Sequence, residues 1–201
     1  MSQKKSKPLF RPLPALHCLD ARRSVPPKQL GEPGPDPDTL MRMLQAAVRV
    51  PDHGKRVPFR FVTFSGDARD AFGERLAARS RERTPDASDA VINKDRKRFS
   101  YAPLVVAVIA DLRPDEKIPE SERFSTASCV CFALLQAAQA LGFSGIWLTG
   151  WLAYDAQVKR WLGLAEFESV AGFIHIGTAR LDVPERDRPD ARDLVSAWSP
   201  Q

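Results

Sequence analysis

The chain has 201 residues, 43% of them hydrophobic, and a formal net charge of +5. That length and apolar share suit one domain with its own core, and no apolar stretch reaches the roughly 18–20 residues that span a bilayer. The basic residues are interleaved with acids, as in Arg79-Ser80-Arg81-Glu82-Arg83; mixed signs mark a solvated helix face and argue against a groove that tracks nucleic-acid phosphates.

Met1 to Pro14 combines lysines with prolines and reads as a flexible arm, residues 1–14, ahead of a single domain over 15–201. No apolar core follows its lysines, so no secretory signal is expected. Ala15 to Arg23 reads as a short helix. Pro26-Pro27 and the run from Gly31 to Pro37 interrupt regular structure. Asp38 or Thr39 can cap the next helix, Leu40 to Val50, with Leu40, Met43, Leu44, Ala47 and Val48 on one apolar face. Pro58 opens a strand from Phe59 to Ser65, with Phe59 and Phe61 on one face and Arg60, Val62 and Phe64 on the other. Two polar helices follow, Asp67 to Arg83 and Ser88 to Phe99.

Ala102 to Ala110 is a continuous apolar run, the pattern of a central strand covered on both faces. Glu122 to Leu141 is the most hydrophobic helix. It is apolar nearly all round, so it should be buried, in part against another subunit; Gly142 can stop it. A short strand from Ile146 to Thr149, a helix from Asp155 to Leu162 capped by Tyr154 or Asp155, and a strand from Val170 to Ile176 ended by Gly177-Thr178 complete the domain. The tail from Ala179, rich in charge and proline, should wrap the surface or a neighbour. Helices alternating with strands give a layered α/β or α+β domain. The sequence lacks G-x-G-x-x-G and G-x-x-x-x-G-K-[ST], so neither a dinucleotide-binding Rossmann unit nor a P-loop is supported.

Cys18, Cys129 and Cys131 are odd in number and unevenly spaced. That excludes a disulfide framework, and Cys129-Val130-Cys131 has the wrong spacing for zinc; no metal is expected. They read as buried or inert thiols in a reducing cytoplasm, the expected location. Asp52, Glu166 and Glu168 show no fixed carboxylate spacing for a hydrolase, and neither Ser24 nor Ser128 sits in G-x-S-x-G.

Three separated segments carry the chemistry. They are Arg22-Arg23-Ser24, Arg49-Val50-Pro51-Asp52-His53-Gly54-Lys55 and Gly145-Ile146-Trp147-Leu148-Thr149-Gly150. Cations with a hydroxyl suit a phosphate, and a glycine-framed aromatic strand suits a flat ring whose redox edge needs polar control. Flavin mononucleotide needs that combination. Each segment also has a plain reading: Arg22 and Arg23 as cations at a helix C-terminus, His53 as a surface-loop histidine, Trp147 as core. His17 and His175 read as structural, and no acid-base residue is named.

These segments, with Pro58-Phe59-Arg60-Phe61, Gly142-Phe143-x-Gly145-Ile146-Trp147 and Gly172-Phe173-x-x-x-Gly177-Thr178, resemble the flavin-dependent nitroreductase family in its small, single-domain bacterial branch. The resemblance covers Leu16 to Thr178. It implies an α+β, three-layer fold with a central mixed β-sheet flanked by helices, and a homodimer with FMN at the interface, held by residues of both subunits. Arg22, Arg23 and Ser24 would bind the FMN phosphate and ribityl chain, Arg49 and His53 would contact FMN, and Trp147, Leu148 and Thr149 would line its ring. Ala137, Ala138, Gln139, Ala140, Leu141 and Gly142 match a stretch associated with NAD(P)H. The implied activity is an NAD(P)H oxidoreductase passing hydride through FMN to a small electron-poor acceptor such as a nitroaromatic or quinone. The family usually has Pro-Trp where this chain has Pro58-Phe59. Its branch often has Arg before Ser or Thr where this chain has Leu148-Thr149, which removes a cation beside the ring. A non-catalytic flavin-binding or interaction module on the same fold is the alternative.

Overall fold

The computed structural model describes residues 14–200. Its helices are α1 (Pro14–Asp20), α2 (Pro37–Ala47), α3 (Asp67–Arg83), α4 (Asp89–Arg96), α5 (Glu120–Ala140) and α6 (Ala156–Trp161). Its strands are β1 (Leu30–Gly31), β2 (Phe59–Phe64), β3 (Leu104–Asp111), β4 (Ser144–Leu148) and β5 (Glu168–Ala179). The expected arm lies outside the described residues up to residue 13, and Pro14 opens α1.

The strands form one sheet ordered β1-β5-β3-β2, with β4 also paired to β5. Every ladder is antiparallel; a parallel bridge joins Ser24 to Gly145. The apolar run becomes β3, buried on both faces between β2 and β5. Side chains alternate across a strand, so Val106, Val108 and Ala110 enter a core beneath α2 and α5, with Val130, Leu134 and Ile174. Val105, Ala107 and Ile109 enter the opposite core with Phe72, Phe99 and Phe173. The three-layer expectation rests on that division.

Several expected boundaries move, each for a local reason. The helix expected from Leu40 begins at Pro37, because Asp36, rather than Asp38 or Thr39, is its cap: the Asp36 carboxylate accepts from the Thr39 N–H at 2.7 Å. It ends at Ala47, short of Val50. The first helix stops at Asp20, so Arg22 and Arg23 lie beyond its last turn. The last strand runs through Gly177 and Thr178, because Ser144 pairs with Gly177 and Gly31 with Thr178. β4 starts at Ser144 for the same reason. β1, hidden among prolines and glycines, is two residues long and exists only through its pairing with β5.

α5 buries Ala127, Val130, Leu134 and Ala138 but leaves Phe124, Phe132 and Leu141 exposed. The all-round apolar pattern is therefore one core face and one outward face. Among the thiols, Cys131 is buried, and burial pushes it up to about 12. Cys18 is half-buried and Cys129 is exposed, so burial accounts for Cys131 alone. No helix among the described residues is long and apolar enough to cross a membrane.

Candidate functional site

The backbone joins the first and third of the sequence segments. Ser24 bridges Gly145, and the Val25 N–H donates to the Gly145 carbonyl at 3.1 Å. Gly145 permits this crowding: a Cβ there would stand 2.7 Å from the His175 carbonyl oxygen on β5. Arg22 and Arg23 thereby reach the start of β4. They open on a cleft of about 340 Å³ that also has Gln139, Ser144, Gly145 and Val183 in its wall.

Arg22 donates from Nη1 to Ser24 Oγ at 3.2 Å and makes no ion pair among the described residues. Its guanidinium retains donors for an anion. Arg23 is more engaged: it pairs with Glu185 and donates to the Asp20 carbonyl. Glu185 also pairs with Arg188 at 2.9 Å, and Arg188 donates to the Arg22 carbonyl at 3.3 Å. Sequence reasoning missed Glu185 and Arg188. No local signal marks them in a charged tail; they meet Arg22 only because β5 ends beside the Ser24 bridge.

β4 carries the ring-lining candidates. Trp147 lies across Gly172, where a Cβ would stand 2.0 Å from the indole nitrogen, and that nitrogen donates to the Ala171 carbonyl at 3.2 Å. The indole packs on the α5-side core, so one of its faces is structural. Leu148 is half-buried and Thr149 exposed. Gly150, at φ 100°, turns the chain into a 3-10 turn. The Trp151 indole in that turn donates to Asp95 at 3.2 Å, and Asp95 also accepts from Ser80 at 2.8 Å and pairs with Arg98 at 2.6 Å. This buried network pins the loop that follows β4.

The stretch matched to NAD(P)H closes α5. Ala137 and Ala138 are buried in the core, and Ala140, Leu141 and Gly142 are exposed, with Gly142 at φ 85° ending the helix. Gln139 alone of the six lines the Arg22 cleft, and its side-chain amide donates to the Cys18 carbonyl at 2.9 Å.

Arg49 and His53 stand elsewhere. Both are exposed on the connection between α2 and β2, and neither lines the Arg22 cleft. His53 Nδ1 lies 2.6 Å from Glu122 Oε2, at the start of α5, whereas Gln139 meets α1 at the end of α5. At about 1.5 Å per residue, the stretch of α5 from Glu122 to Gln139 is roughly 25 Å long. The structure thus gathers the first and third segments at the C-terminal end of α5 and sets His53, of the second, at its N-terminal end.

That second segment is strained. Lys55 at φ 52° and Val57 at φ 49° adopt left-handed backbone without being glycine. The Asp52 carboxylate holds the turn by accepting from the Arg56 and Val57 N–H groups at 3.1 and 2.8 Å. For a β-branched residue such as Val57 that conformation costs on the order of 1–3 kcal/mol, and it concentrates at functional sites.

The sequence matches the family model described as the Nitroreductase family over residues 19–178. It is 34% identical over 167 residues to the Escherichia coli (strain K12) protein named "Putative NAD(P)H nitroreductase YdjA", covering 83% of this chain and 89% of that one. The fold matches that of a nitroreductase-like family protein from Bacillus cereus with a TM-score of 0.78 at 19% identity, over 94% of this chain and 98% of the other. It also matches the Desulfovibrio desulfuricans structure described as a "putative nitroreductase in complex with fmn", with a TM-score of 0.73 at 21% identity, over 94% and 100% of the two chains.

Proposed function

Because the chain belongs to the nitroreductase family, we propose that it is an FMN-dependent NAD(P)H oxidoreductase acting on a small electron-poor acceptor such as a nitroaromatic or quinone. The observation that carries this reading is the Ser24–Gly145 bridge, which sets a free arginine and a hydroxyl against the first residues of a glycine-framed aromatic strand. That arrangement fits FMN: the cleft beside Arg22 is large enough for a phosphate, and glycine at 145 lets a main-chain wall approach closely. A structural relative carries FMN, and a sequence relative is named for NAD(P)H.

Arg22 and Ser24 hold the phosphate, and Arg23, paired with Glu185, lines the same cleft. Trp147, Leu148 and Thr149 form the wall along the ring, and the network around Asp95 keeps that wall in place. Bound FMN supplies the two-electron exchange between NAD(P)H and the acceptor. Leu148 leaves the ring edge without a side-chain cation from β4. Ala137 to Gly142 frame the nicotinamide approach, Gln139 being the member that faces the cleft.

His53 cannot reach the same FMN within one chain, because the length of α5 separates it from Arg22. The reading therefore requires a homodimer in which His53 of one copy meets the Arg22 cleft of the other, with Arg49 as a further FMN contact. The outward face of α5, with Phe124 and Phe132 exposed, supports such a pairing. A complementation assay tests it. Arg22→Ala and His53→Ala variants should each lose FMN-dependent NAD(P)H oxidation. Unfolded together and refolded at equal amounts, half the dimers combine one copy of each, so about one quarter of all sites regain both residues. Recovery to that level supports the shared site; no recovery from correctly folded, dimeric mixtures refutes it.

A further inference from the structure

A second cleft, of about 310 Å³, opens away from the Arg22 cleft, between the strained 52–57 turn, the end of β3 and the first turn of α5. Arg56, Val57, Asp111, Arg113, Asp115 and Arg123 line it. Arg56 pairs with Asp115 at 2.8 Å, and Arg113 pairs with Asp111 at 2.6 Å while lying over the Phe167 ring. Both carboxyls are held below their usual range: Asp115 to about 2, first by the Lys117 and Ile118 N–H groups, and Asp111 first by Arg113. They are ionised at neutral pH, so Arg56 and Arg113 are compensated.

Arg123 is not. It is 5% exposed, pairs with no carboxylate among the described residues, and donates from Nη1 only to the Arg113 carbonyl. Its Nε is buried with no partner. A buried guanidinium costs several kcal/mol unless it is paired, and an orphaned buried donor calls for a group that the protein does not itself supply. The cleft's three guanidinium groups against two carboxylates leave one positive charge in excess. Val57, a β-branched residue in left-handed backbone, shapes the wall.

We propose that this cleft is a binding site for a small monocarboxylate, with Arg123 as its anchor and Arg56 and Arg113 as its fixed flanks. A planar carboxylate matches the planar fork of a guanidinium, and one negative charge matches the excess. None of its residues lies in the Arg22 cleft, and none is assigned to FMN. Its occupant would stitch the 52–57 turn to α5 next to His53 and Lys55.

The test uses the full chain in excess FMN, which fills any phosphate position at Arg22. Benzoate is titrated while the Arg123 Nε–H resonance is followed by NMR, with neutral benzamide as the matched control. Benzoate should produce a saturable shift of that resonance and of the Arg56, Val57 and Arg113 amides, and benzamide should not. Arg123→Met should weaken the response at Arg56 and Arg113 at least about tenfold. No shift of the Arg123 signal with benzoate, an equal response to benzamide, or an undiminished response in a folded Arg123→Met would overturn the proposal. The wild-type titration decides alone if that variant does not fold.

Discussion

The two ends of α5 are built on different terms. At its C-terminal end, Arg22, Ser24 and the start of β4 are held by backbone: a parallel bridge, a glycine pressed against β5, and the buried His175 beneath Ile146 in register. At its N-terminal end, the 52–57 turn is exposed, contains two left-handed non-glycine residues and is held by side chains: the Asp52 carboxylate cap, the His53–Glu122 contact and the Arg56–Asp115 pair. The first end is rigid and already shaped for a ligand. The second stores strain, and a partner or an anion would stabilise it. On the proposed reading the two ends differ in kind: a phosphate grip exists before the flavin arrives, whereas a contact contributed across subunits is completed only on assembly.

The largest effect should come from beneath the rigid end. His175 is 1% exposed, its Nδ1 lacks a partner among the described residues, and burial lowers it to about 4 from the 6.5 usual for histidine. Above pH 6.5 the ring is neutral in both the folded and unfolded chain. Between 6.5 and about 4 the unfolded chain takes a proton that the folded chain does not. Stability should therefore fall by about 3 kcal/mol as pH drops through that window. Urea unfolding of wild type and His175→Gln at pH 7 and pH 4.5 measures it; the variant should lose less on acidification. An equal loss would place the acid sensitivity elsewhere.

Gly145→Ala breaks the same end sterically, because its Cβ would stand 2.7 Å from a backbone oxygen that cannot swing aside. It should cost about 2–3 kcal/mol by chemical denaturation and weaken FMN binding with it. Arg22→Ala separates grip from scaffold. It removes a charge-assisted contact of roughly 1.5–3 kcal/mol, so FMN affinity should fall ten- to a hundredfold while the melting temperature of the flavin-free protein stays put. Riboflavin, which lacks the phosphate, should bind both proteins alike. If both flavins weaken equally, Arg22 acts through the fold.

The smallest effect belongs to the strained end and has an unusual sign. Replacing valine by glycine ordinarily destabilises. At Val57 the relief of left-handed strain should offset that, leaving the variant within about 1 kcal/mol of wild type or above it. A clear loss of stability would mean that the Val57 side chain, 60% exposed, has a packing role that the described residues do not show.

Local chemistry alone determined much of this protein. The apolar run at β3, the amphipathic α2 and the bounds of α3 follow from periodicity, because side-chain spacing and burial are the same fact in a regular element. The three candidate segments stand out because glycine, arginine and histidine at such intervals have few other uses together, and the structure joins the first and third of them. Tertiary structure decided what local spacing cannot encode. β1 exists only as a partner of β5, and Glu185 with Arg188 reaches Arg22 only through the end of that strand. Arg123 reads as an ordinary charge in the first turn of a helix, and only the packing of β3 and the 52–57 turn around it shows a buried cation with no ion pair among the described residues and an unpartnered Nε. The separation of Arg22 from His53 is likewise invisible in a list of motifs, because it is set by the length of α5 and by which end of that helix each loop meets.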